Sequence, residues 1–243
     1  MKMMTFAKRC AKEILRDPIN LAFGLGFPLV LMMLLTAMQA NIPAPLFEIH
    51  KLTPGMAVFG LSFMTLFSAT LIAKDRESAL LQRLYTTPLT GVDFILGYML
   101  PILPIGLGQT VLCYLFAVPL GLEIGVNVAY AVLGMVPIMV FFIALGLLCG
   151  SVLGVKQVGG ICGALLTNLS AWLSGVWFDL ELVGGTFQKV AGLLPFLHAV
   201  EMEKALVNGD FGTALSHLPV ILIYGGVTLA AATFLFLGQM KNQ

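Results

Sequence analysis

The sequence predicts an all-α integral membrane protein of six transmembrane helices, and three observations predict it. Of 243 residues, 59% are hydrophobic and 10% charged, with a mean hydropathy of +0.98; ordinary soluble domains carry about 25% charged residues. A soluble fold of this size buries only about 70–75% of its surface, too little to hide so much apolar area from water. The apolar residues also gather into six runs, 19–38, 52–73, 94–120, 127–151, 158–178 and 215–238. Each can cross about 30 Å of hydrocarbon at about 1.5 Å per residue, and none carries an Asp, Glu, Lys or Arg in its interior. Finally, the charges are sorted by side. Ten of the thirteen Lys and Arg residues fall with the N-terminus and the even-numbered loops, whereas Lys51, Lys189 and Lys204 fall opposite. By the positive-inside rule both termini are cytoplasmic.

Residues 3–16 precede the first run. Met3, Phe6, Cys10 and Ile14 recur at helical spacing, with Lys8, Arg9, Lys12 and Arg16 mostly off that stripe, which predicts an amphipathic helix at the cytoplasmic interface. Asp17-Pro18 ends it, because proline disfavours helix at the residue before it. The first run exits through Thr36-Ala37-Met38-Gln39-Ala40 and lacks a small-x-small cleavage site, so it reads as a retained span.

The cytoplasmic stretch 74–93 reads KDRESALLQRLYTTPLTGVD. Leu80, Leu81, Leu84 and Tyr85 form one apolar stripe, Pro88 stops it, and Thr90-x-x-Asp93 is a capping box for the third span. On pattern alone this is either a docking helix for another protein or a hairpin whose leucines fold back on the bundle. Pro101, Pro104, Pro119 and Pro137 predict kinks, and Gly146, Gly150 and Gly154, repeated as Gly159 and Gly163, predict close helix contact. The external stretch 179–214 holds two short amphipathic segments split at Pro195, the second from His198 to Leu206, with Glu201, Glu203 and Lys204 opposite its apolar side. Gating or binding on the one hand, and simple flexibility on the other, both suit such a loop. The whole of residues 1–243 reads as one membrane domain.

Chemistry is sparse. There is no G-x-x-x-x-G-K-[ST] phosphate loop and no H-E-x-x-H. The cysteines, Cys10, Cys113, Cys149 and Cys162, lack metal or redox spacing and read as packing residues. His198-x-x-Glu201 reads as a solvated face; no metal site is expected. The near neutral charge argues against a nucleic-acid partner. Without an ionisable group inside a span, proton or ion relay is not expected. What remains is a weakly polar lining, Met56, Met64, Asn168, Ser170 and Ser174 among others. It suits an apolar or amphipathic cargo, and it equally suits packing and interhelical hydrogen bonds.

The layout resembles the type 2 ABC-transporter permeases, the membrane subunits of six-span type V exporters. The resemblance covers essentially the whole chain. It rests on the helix ending in Arg16-Asp17-Pro18 and on K-D-R-E-S-A-L-L-Q-R-L-Y-T-T-P-L-T, which is similar to the family's R-E-x-G-T-L-x-x-L-x-x-T-P segment. Phe94-Ile95-Leu96-Gly97 follows, and Leu194-Pro195-x-x-His198-Ala199 resembles a further pattern before the last span. Ala79 replaces a frequent glycine, and Tyr98 stands where a lysine is common.

The resemblance implies that residues 74–93 form a coupling helix, in which Asp75, Arg76, Glu77, Leu80 and Leu84 contact a separate cytoplasmic ABC ATPase, present in two copies. Residues 1–18 are then its connecting helix, using Phe6, Cys10, Ile14 and Arg16. ATP and magnesium belong to the partner, and this chain needs no cofactor of its own. A second permease chain, as homodimer or heterodimer, would face this one across a cargo path between the second and fifth spans. Met56, Met64, Asn168, Ser170 and Ser174 belong to that path, and Pro195 and His198 to an external gate. The resemblance places the assembly in the plasma membrane of a prokaryote, exporting a drug, lipid or peptide. A membrane scaffold without cargo, or an intramembrane hydrolase built on Ser174, is the alternative.

Overall fold

Helix is the only regular structure among residues 2–41, 47–78, 80, 90–178 and 180–241, the residues described by the computed structural model. Helix α1 (Lys2–Leu15) is followed by α2 (Pro18–Gln39), α3 (Ile49–Glu77), α4 (Gly91–Met99), α5 (Ile102–Ala117) and α6 (Val126–Val152). Then come α7 (Val155–Val158), a π-helical turn (Gly159–Leu166), α8 (Thr167–Leu173), α9 (Leu180–Val183), α10 (Gly185–Leu193), α11 (Pro195–Asn208) and α12 (Phe211–Lys241). Among the described residues, five helical segments are long and apolar enough to cross a membrane: Pro18–Gln39, Ile49–Glu77, Gly91–Leu120, Val126–Val152 and Phe211–Gly238.

Helix α3 is the axis. In its most apolar stretch 89% of residues are buried, against 22% in α2 and in α12. Its small residues explain the placement. Thr65 and Ser68 donate from their hydroxyls to the α6 carbonyls of Phe142 and Ile143, at 2.9 and 3.1 Å. Opposite them, a Cβ on Gly146 would collide with Ser68 Oγ and the Thr65 carbonyl, and one on Gly150 with the Ala69 backbone. The glycine spacing read from the sequence is therefore where two backbones touch, and hydroxyls that would be costly in lipid are satisfied across the seam.

The fifth apolar run departs from expectation. Its helix is assembled from α7, the π-helical turn and α8, ends at Leu173 rather than Phe178, and is not among the five continuous spans. Gly159, Gly160 and Gly163 weaken α-helical preference at the wide turn, and the Thr167 hydroxyl donates to the Cys162 carbonyl five residues back. Gly175, at φ +73°, then turns the chain.

Helix α1 lays its stripe on protein. Phe6, Cys10 and Ile14 are buried, and Phe6 sits edge-on to Phe94 and Tyr98 of α4 at 5.5 and 4.9 Å. Gly97 leaves the space that Phe6 occupies. Burial pushes the Cys10 thiol up to about 12, so it stays a packing group. Asp17 caps α2 through Asn20, and Pro18 opens it. Thr90 and Asp93 cap α4 reciprocally, as their spacing predicts.

Gly146→Leu is expected to lower the thermal unfolding midpoint of the detergent-solubilised protein, since overpacking costs about 1–3 kcal/mol. Gly159→Ala, with no atom within 4 Å of the added Cβ, is expected to leave the midpoint unchanged.

Candidate functional site

At the end of α3, four consecutive charged residues each hold a different part of the chain. Lys74 pairs with Asp17, the cap of α2, at 3.6 Å. Asp75 accepts from Arg9 of α1 at 2.5 Å and from the Tyr98 hydroxyl of α4 at 2.8 Å, both on Oδ2. Arg76 donates to the Gly150 and Leu153 carbonyls at the end of α6, at 2.9 and 3.3 Å. Glu77 accepts from the Val155 amide at the start of α7, at 2.8 Å.

The chemistry is complementary. The last carbonyls of a helix lack intrahelical donors and carry partial negative charge, which suits a guanidinium; the first amides carry the opposite charge, which suits a carboxylate. Arg76 and Glu77 thus close the α6–α7 joint from outside it. Asp75 is 1% exposed, and a buried carboxylate needs a partner; Arg9 supplies the charge and Tyr98 a second donor. Expected to face an ATPase, Asp75 is instead turned inward. Tyr98, a departure from the family pattern, here has a stated task. Leu80 is partly buried beyond the cluster, Arg16 is exposed, and Leu84 lies outside the described residues.

A second cluster lies far from this one. Gly134 and Gly150 of α6 are separated by about 24 Å along the helix, and near the Gly134 end α11 packs against α3, α6 and α12. Pro195 opens α11. His198 Nε2 meets the Gly192 carbonyl at 3.0 Å, and His198 Nδ1 meets His217 Nδ1 of α12 at 2.8 Å. A carbonyl only accepts, so neutral His198 carries its proton on Nε2 and His217 donates between the two Nδ1 atoms. Tyr224 donates to the neighbouring Leu193 carbonyl at 2.9 Å. Here too one helix end, that of α10, is satisfied by side chains of other helices.

The expected cargo residues, assigned to a path between two facing permeases, make intrachain contacts in the single chain. Met56 and Met64 are fully buried in α3. Ser170 and Ser174 are buried and donate to carbonyls three residues back, and Asn168 donates to the Ala164 carbonyl.

One residue was missed. Glu203, read as part of the solvated face of α11, is 0% exposed. The Tyr114 hydroxyl of α5 faces it, but none of the three buried oxygens makes a hydrogen bond of normal geometry among the described residues. The signal was present: Ala199 and Glu203 are four residues apart, hence on one face.

Residues 1–205 match the protein-family model described as ABC-2 type transporter. No curated protein matches the chain.

Arg9→Met should cost about 2 kcal/mol, less than the ~3–5 kcal/mol for a fully buried pair because about a third of Arg9 reaches solvent; thermal unfolding, with faster amide exchange in α1, checks it. Acidification from pH 7.5 to 5 should loosen the α11–α12 contact. The contact needs one Nδ1 atom to accept, so protons on both Nδ1 atoms break it. His217→Asn should abolish the pH dependence of exchange at the start of α11.

Proposed function

The chain belongs to the ABC-2 type transporter family, and we propose that it is the membrane permease of an exporter of amphipathic or lipophilic cargo, working with a separate ABC ATPase. In this reading six passes place both termini in the cytoplasm of a prokaryote, the three-piece helix from α7 to α8 being the fifth pass. Two permease chains and two ATPase chains make the working unit, and the cargo path lies between second and fifth passes of facing permeases. ATP and magnesium are held by the ATPase.

The observation that carries the reading is the Lys74–Glu77 cluster. It stands immediately before the leucine-bearing segment 80–89, the expected grip for the motor. Force applied to that segment enters α3 at its end, and through four adjacent side chains reaches α1, α2, α4 and the α6–α7 joint together. A rigid-body shift of the cytoplasmic half needs such a common node. Arg76, Glu77, Leu80 and Leu84 line the approach to the motor, with Asp75 and Arg9 transmitting behind them. Burial of Ser174 and its bond to the Ala171 carbonyl favour a packing role over the hydrolase reading.

Leu84→Asp is expected to abolish co-purification with the ATPase, or to cut cargo-stimulated ATP hydrolysis about tenfold or more, while membrane insertion and the unfolding midpoint stay unchanged. Full stimulated hydrolysis by that variant would remove the coupling assignment.

A further inference from the structure

Beside Glu203 a cavity of about 370 Å³ opens between α6, α11 and α12. That volume falls in the usual range for small-molecule sites, about 300–1,000 Å³. Its wall is apolar apart from the Tyr130 hydroxyl, and Leu133 and Leu215, 66% and 64% exposed, mark its rim on the outside of the chain. Gly134 is the one lining position without a side chain. Glu203 Oε1 lies 2.9 Å from where a Gly134 Cβ would stand, and Leu206 Cδ1 crowds the same spot. The carboxyl thus lies behind the cavity wall at Gly134, with Leu206 and the end of Met202 between it and the open space.

We propose that this cavity and Glu203 form a binding site for a lipophilic primary amine, its apolar body in the groove and its ammonium on the carboxyl. Two observations meet here: an apolar space of ligand size that opens at the exposed surface of the chain, and next to it a fully buried acid with no cation against it among the described residues. An ion of that kind is costly to bury unpaired. Among the described residues no cation pairs with it; the neighbouring Lys204 is engaged with Glu201 at 2.8 Å. Among the helices packed around it, Tyr114 of α5 is the titratable group that faces it. Burial holds the empty carboxyl well above the usual carboxylate range, with Tyr114 opposing weakly. Without a cation beside it the group is biased toward its neutral form. When an ammonium ion enters and Leu206 and the end of Met202 swing aside, the acid releases its proton to water and a carboxylate–ammonium pair remains. No covalent bond forms or breaks besides that O–H.

The proposal deepens the exporter reading by naming a cargo class, but binding needs no ATPase, so each can fail alone. The test titrates dansylcadaverine, a primary alkylamine with a fluorescent apolar end, and its neutral N-acetyl analogue onto the full chain in phosphatidylcholine nanodiscs. The amine is expected to bind roughly tenfold tighter at pH 7, as a charge-assisted contact provides, with proton release seen as a buffer-dependent binding heat. Glu203→Gln should erase the preference at an unchanged unfolding midpoint. Should that variant not fold, Leu215→Trp, at the exposed rim, should weaken both probes. Phosphatidylethanolamine nanodiscs separate two sources of the same chemistry: displacement of the probe assigns the site to an amino-lipid, and its absence to a free amine. Equal affinity for amine and acetyl analogue, or a preference that survives Glu203→Gln, overturns the proposal and leaves a groove for acyl chains.

Discussion

The packing of α1 and α4 on the end of α3 depends on Asp75 keeping its two partners. A carboxylate removed from water at the end of the central helix is tolerated only while Arg9 and Tyr98 reach it. Those two contacts fix α1 against α4 and both against α3. Lys74, Arg76 and Glu77 then extend the same node to the cap of α2 and to the two facing helix ends at the α6–α7 joint. Four neighbouring residues on a helix point in four directions about 100° apart, so one short charged run can hold several elements without branching networks.

The same economy recurs along α3. Its hydroxyls bond carbonyls of α6, and the glycines of α6 accept its backbone. A seam of that kind is stiff, because neither partner has a long side chain that can repack. Motion is therefore expected to carry α3 and α6 as one piece. The fifth run is different: its π-helical turn is glycine-rich, and nothing would meet a Cβ at Gly159 or Gly160. Rigid and compliant elements thus meet at the α6–α7 joint, where Arg76 and Glu77 grip.

At the far end, the structure replaces a surface loop with a buried wedge. Helix α11 enters between α3, α6 and α12, seating Phe196 against Phe141 and Phe142 at 5.9 and 6.1 Å. Its burial takes Glu203 out of water, and the His198–His217 contact closes over its N-terminal end. An acid inside the bundle, absent from every apolar run, is supplied by an element that is not itself a span.

The sequence by itself determined the helical membrane class, the capping box at Thr90 and Asp93, the break at Asp17-Pro18 and the close approach at Gly146 and Gly150. Each rests on local rules, namely run length, cap chemistry and the absence of a Cβ, which need only neighbouring residues. Only the tertiary structure decided that Asp75 turns inward, that Tyr98 donates to it, that Met56 and Met64 fill the core, and that Glu203 is buried. These depend on which helix lies opposite. Periodicity gives a residue its face, but the environment of that face is set by partners 23, 66 or more positions away in the chain.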